Sequence, residues 1–131
     1  MEAQLKDRTK NFAHNCVKLA IELPSTVLGR HIGHQLIRSA TSVAANYRAT
    51  CIAQTKKSFI SKLSIVIEEI DESNFWLEFL KEEKVIGPKK VDMLINESNE
   101  RTRIFILSRK TAEKNILSED VVNYEKRKED D

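Results

Sequence analysis

Residues 37–80 read IRSATSVAANYRATCIAQTKKSFISKLSIVIEEIDESNFWLEFL, a stretch with neither glycine nor proline. Its first half is dense in Ser, Ala and Thr, and its second half is a heavier apolar run ending in Asn74-Phe75-Trp76-Leu77. A run this long without a turn residue reads as helix. Two long helices joined by a short polar turn at Ala53-Gln54-Thr55 account for it. Leu28, Ile32, Leu36, Ser39, Val43 and Tyr47 make one stripe on the earlier helix, and Gly33, Ile37, Ala40, Ala44 and Cys51 an offset second one. Two apolar stripes on one helix mean two packing partners, and small residues on one of them admit a neighbouring backbone closely.

Working outward, residues 3–22 form a first helix whose Leu5, Phe12, Cys16, Leu19 and Leu23 share a face. Pro24 ends it, and Ser25 or Thr26 caps the next helix, over residues 26–50. Thr55 caps a third helix reaching to about residue 84, with Phe59, Leu63, Val66, Ile67, Ile70, Asn74 and Leu77 inward. Gly87 is expected to turn left-handed and Pro88 to open a fourth helix, residues 89–115. There Val91, Ile95, Thr102, Phe105 and Ala112 face inward. The expected fold is an all-α, up-down-up-down antiparallel four-helix bundle over residues 1–116, with residues 117–131 a polar tail expected to be largely disordered.

Composition agrees. The 131 residues include only three glycines and two prolines, too few turn residues for a sandwich or barrel. No run is long and apolar enough for a membrane span, and MEAQLKDRTKNFAHN lacks the apolar centre of a secretory signal, so a cytoplasmic location is expected. Cys16 and Cys51 lack CxxC spacing and read as small buried hydrophobes rather than a disulfide or reactive thiol. Apolar strips beyond the core's needs, Ile65, Trp76 and Phe79 on the third helix and Ile104 and Leu107 on the fourth, mark an oligomer interface.

The net charge of +2 hides a basic first half: residues 1–67 carry ten Lys/Arg against three acids. Arg38, Arg48, Lys56, Lys57 and Lys62 are the candidate phosphate-contacting set, with Arg30 beside them and Lys89, Lys90, Arg101, Arg103, Arg109 and Lys110 along the fourth helix. For a monomer a charged surface needs no ligand; repeated around a ring the charges sum. Lysines in a first turn oppose the helix dipole, so Lys56 and Lys57 are expected to serve something besides helix stability.

The acidic run Glu68, Glu69, Asp71 and Glu72 pairs with Arg38 and Arg48 in this reading, since no nucleophile or phosphate loop accompanies it. Asn46 and Asn74 fall in apolar stripes and must bond to backbone, Gln35 or Ser39. His31 and His34, with His14, can share a metal by spacing, but no acid lies between residues 23 and 67 and no Glu-x-x-His occurs; surface or interface histidines are the reading. No catalytic residue, metal or cofactor is expected.

SATSVAANYR at 39–48, KKSFI at 56–60 and EEIDESNFWLEFL at 68–80 together resemble the small four-helix-bundle proteins encoded in intervening sequences of bacterial 23S ribosomal RNA genes. More remotely the chain is similar to the accessory variability determinant of diversity-generating retroelements. The resemblance covers residues 10–115. It implies a cyclic homopentamer with a basic surface that touches RNA or DNA. Many members carry Glu after the Asn-Tyr-Arg element, where this chain has Ala49. The function expected is a non-enzymatic oligomeric bundle binding nucleic acid through phosphates. The alternative is a scaffold docking a partner protein such as a reverse transcriptase.

Overall fold

In the computed structural model, which describes residues 2–130, four helices follow one another: α1 (Glu2–Glu22), α2 (Val27–Cys51), α3 (Lys56–Glu82) and α4 (Pro88–Asp130). The short connections turn each helix back on its predecessor. Arg38 reaches Glu69 across α2 and α3, Lys81 meets Asp92 across the α3–α4 turn, and Lys90 at the start of α4 meets Glu22 at the end of α1. Opposite ends therefore meet, as in an antiparallel bundle. The contacts fall between sequence neighbours, while α1 and α4 barely touch. The bundle is a curled row of four helices with an open seam.

The caps are those the residue types demand. Thr26 and Thr55 each accept a hydrogen bond at 3.0 Å, from the backbone N–H of Gly29 and of Ser58. Gly29 matters through space: a Cβ there would lie 2.1 Å from the Pro24 carbonyl oxygen, so only glycine lets α2 start this close to the end of α1. The α3 terminus departs from expectation. Gly87 is not left-handed; Lys84 is, at φ 54°. The Val85 N–H bonds the Leu80 carbonyl and the Lys84 N–H that of Lys81, the paired bonds of a Schellman ending. Half-buried Val85 then packs onto the core. A Cβ in left-handed geometry costs about 1–2 kcal/mol. Lys84→Gly is therefore expected to raise stability by about 1 kcal/mol, measured as a shift in urea midpoint at unchanged m-value.

The core is built from Phe12, Cys16 and Leu19 of α1, Ile32, Leu36 and Val43 of α2, Leu63, Val66, Ile70, Leu77 and Leu80 of α3, and Val91, Leu94 and Phe105 of α4. On α1 the expected stripe is buried throughout. On α2 only Leu28 of the first stripe lies open; of the small-residue stripe, Gly33 and Ala40 are buried, Gly33 against Ala20 and Leu23, and Ile37, Ala44 and Cys51 are half-buried. Ser39 and Ser73 let α2 and α3 approach closely, and the two serine hydroxyls bond at 2.9 Å in the buried seam. Asn46 bonds the Ser42 carbonyl at 2.8 Å, and Asn74 donates to Asn99 Oδ1 at 3.0 Å, a partner on α4 that was not anticipated.

Two expectations for α4 fail. Its inward set is Val91, Leu94, Ser98, Arg101 and Phe105, at spacings of three and four. Ile95, Thr102 and Ala112 are only half-buried. The two polar members interrupt the apolar signal by which a core face is recognised. Nor does the helix stop near residue 115: it runs on to Asp130, where a disordered tail was expected; Asp131 lies outside the described residues. No glycine or proline follows Pro88 to stop it, and Arg127 and Lys128 sit favourably at its negative end.

Candidate functional site

Along α3, Ile65, Trp76 and Phe79 recur on the flank nearest α2. Trp76 packs edge-on against His31 of α2, with centroids 5.5 Å apart, and continues into Phe75 at 4.9 Å and Phe79 at 6.5 Å. Trp76 and Phe79 cover the core with one side and are half-open on the other, while Phe75 is 51% and Ile65 40% exposed. Phe75, absent from the expected interface set, is the most open member of this cluster. Its position in the NFWLEF run is the signal that could have found it.

Ile104 and Leu107 do not join this patch. The side of α4 that meets α3 carries Asp92, Asn99 and Arg109. Ile104 and Leu107 lie off that side, and Leu107 is 63% exposed. The five interface candidates therefore fall on different flanks of the subunit, and Ile104 is half-buried against the core, which leaves Leu107 the open member of the α4 pair.

The five candidate cations are also separated. Arg38 is paired with Glu69 at 3.3 Å and with Glu72, so the acidic run has its expected arginine. Lys56 is paired with Glu119 of the α4 extension, which gives a first-turn lysine its use. Lys57 is exposed and Lys62 half-buried on α3. Arg48 does not reach the acids. It lines a groove of about 470 Å³ between α1 and α2 with Lys6, Asp7 and Lys10, over a floor of Thr41, Ala44 and Ala45. Lys6 and Lys10, four apart on one helical face, were legible as a pair. Among the described residues Lys6, Lys10 and Arg48 take part in no ion pair.

At the open seam, α1 and α4 bound a cleft of about 280 Å³ lined by Asn15, Lys18, Leu19, Met93, Leu94 and Glu97, with the Lys90–Glu22 pair at its rim, 2.9 Å apart. Next along α4 lies Arg101, read from sequence as a surface cation but only 7% exposed. Its Nε and Nη1 have no hydrogen-bond partner. Burial pushes the Glu97 carboxyl upward, against the pull of Arg101. A carboxyl raised by folding holds its proton more tightly in the native state, so its contribution is most favourable at low pH and is lost as pH rises from the unfolded pKa through the folded one. Glu97→Gln is therefore expected to raise the melting temperature at neutral pH, with the gain vanishing below about pH 4. Thermal scans of both proteins across pH check it.

Cys16, buried, and Cys51, half-buried, are both free thiols, and burial pushes each upward from the ordinary thiol value. Among the described residues no three His, Cys, Asp or Glu side chains gather as metal ligands, and no helix is long and apolar enough to cross a membrane.

A family model described as 23S rRNA-intervening sequence protein matches residues 1–106. A solved structure from Bacteroides thetaiotaomicron VPI-5482, a protein of unknown function from the S23 ribosomal protein family, shares 31% identity and superposes with a TM-score of 0.73. The match covers 84% of this chain and 99% of that one. No curated protein matches the chain. The matched span takes in α1, α2, α3 and the bundled part of α4, and with it the residues at 39–48, 56–60 and 68–80 on which the resemblance was first seen. The chain belongs to the 23S rRNA-intervening sequence protein family.

Proposed function

We propose that the chain is a non-enzymatic, self-assembling helical scaffold whose subunits close into a ring, the homopentamer of the family resemblance. The observation that carries this reading is the pair of apolar patches on different flanks. A cyclic assembly needs such an arrangement, because its interface joins two unlike surfaces head to tail. Ile65, Phe75, Trp76 and Phe79 of one subunit would meet Ile104 and Leu107 of the next. The polar groups collected elsewhere engage one another, as Ser39 does Ser73 and Arg38 the α3 acids. A partner protein, such as the polymerase implied by the remoter resemblance, would dock on the ring's outer surface.

Nucleic-acid binding is the second reading, and the α1–α2 groove favours it. Among the described residues its Lys6, Lys10 and Arg48 take part in no ion pair, whereas Arg38 is paired with Glu69 and Glu72 and Lys56 with Glu119. The phosphate set is thus proposed as Lys6, Lys10 and Arg48. Retention of total bacterial RNA at about 50 mM salt is expected to fall at least tenfold by about 200 mM, as counterion release requires. Lys10→Glu with Arg48→Glu should abolish it, and Arg38→Glu should not. No retention at the lower salt leaves the scaffold reading alone.

A further inference from the structure

The extension of α4 lies outside the matched family span, which stops at residue 106. Over residues 113–130 only Ile116 is even half-buried. An isolated helix of that length is marginal in water, and its stability ordinarily comes from packing an apolar face. Such a face is present. Leu117, Val121 and Tyr124, at spacings of four and three, are 65%, 56% and 60% exposed. Glu119 is on the opposite side of the helix and engages Lys56, so the bundle holds the polar side and the apolar stripe turns outward. Glu113 and Asp120 flank the stripe on one edge, Glu125 and Glu129 on the other.

The complement of this surface is on the same molecule. The α1–α2 groove has a floor of small side chains, which lets a helix approach closely, and its walls carry Lys6, Lys10 and Arg48 against the single acid Asp7. Further along the same two helices a second depression of about 220 Å³ continues it, past Ala20, Gly33 and Ile37. Glu113, Asp120, Glu125 and Glu129 edge the stripe against Lys114 and Lys128, the latter over the Tyr124 ring, so the net charge of this face still opposes that of the groove while the stripe meets the floor.

The groove's basic end is formed by the start of α1 and the end of α2, the same end of the bundle from which α4 projects. A helix leaving that end runs away from its own groove. It runs toward that of a second copy placed end to end, and by symmetry the second copy's helix returns the contact. We infer that the α4 extension of one copy docks, by Leu117, Val121 and Tyr124, in the basic α1–α2 groove of a second copy, in a reciprocal two-fold exchange. The exchange is separate from the ring faces, goes beyond the proposed scaffold, and gives the groove to a second copy in place of nucleic acid. The roughly 25 Å of helix in residues 113–130 spans the groove from Lys6 to its second depression.

The test uses the full chain. Equal amounts of ¹⁵N-labelled and unlabelled protein are mixed, and carboxylates are joined to amines with a zero-length carbodiimide. Peptides linking Lys6 or Lys10 to Glu113, Asp120 or Glu125 are expected with mixed isotope signatures. The Lys56–Glu119 product should stay within one copy. Leu117→Lys with Val121→Lys, both at exposed positions, should remove the mixed products and halve the particle mass by light scattering, with bundle helicity kept. Lys10→Glu with Arg48→Glu should do the same, and adding Asp120→Lys with Glu125→Lys to that variant should restore the mass. The inference is overturned if the α1 lysines yield no inter-copy product, or if the tail variants leave the mass unchanged. Failure of the ring proposal looks different: the tail variant would then reach a single chain, and the wild type would be a simple pair.

Discussion

Arg101→Leu is expected to stabilise the protein by roughly 1–4 kcal/mol, although it deletes a charged side chain from the bundle. Arg101 occupies a core position of α4 between Ser98 and Phe105 and is nearly closed to solvent. Two of its guanidinium nitrogens have no acceptor, and the one carboxylate oxygen within ion-pair reach, on exposed Glu100, stands 3.8 Å from Nη1. The desolvation of the cation is therefore barely offset. A buried donor without a partner costs about 1–3 kcal/mol, more when charged. Leucine would fill most of the volume and remove that cost, whereas Arg101→Ala would leave a cavity and gain less. Urea denaturation of the three proteins reads the order directly: leucine variant, alanine variant, wild type. A leucine variant less stable than wild type would mean that the guanidinium is held by an acceptor that a single subunit does not contain.

Much of the bundle was legible in the chain. Helices α1, α2 and α3 follow from Pro24, Thr26, Thr55 and the pattern of residues 37–80, because apolar spacing and capping chemistry are local. The Arg38 pairings were legible too, since a cation on a helix without acids must look to the neighbouring helix. What was not legible depends on juxtaposition. Arg101 breaks the apolar pattern of the face it belongs to, so its burial is visible only once the helices are packed. The ending of α3 is fixed by Val85 docking on the core, which forces Lys84 rather than Gly87 into left-handed geometry. The α1–α2 groove joins Lys6 and Lys10 to Arg48 across a gap of nearly forty residues. The composition of the α4 extension is polar overall, a sum that hides Leu117, Val121 and Tyr124 on one side of a helix.

The second large effect concerns assembly. Ile65→Lys and Leu107→Glu alter exposed side chains on the two proposed ring faces, so each is expected to leave helicity unchanged and the intrinsic stability of the single subunit within about 0.5 kcal/mol of wild type. In a head-to-tail ring either change damages every interface at once, because each joint uses both faces. Placing a charge in a desolvated apolar contact costs several kcal/mol per joint, enough to dissociate a closed ring at micromolar concentration. Equal parts of the two variants should recover only open pairs, formed through the one undamaged joint they share.

The most direct test of the ring is mass by light scattering, for the wild type beside Ile65→Lys and Leu107→Glu. The wild type is predicted to be several times the 15.1 kDa of one chain. Each variant is predicted to fall about fivefold in mass with an unchanged far-ultraviolet spectrum. A wild type of one chain's mass, or variants as heavy as the wild type, would contradict the ring and leave the two apolar patches without a partner.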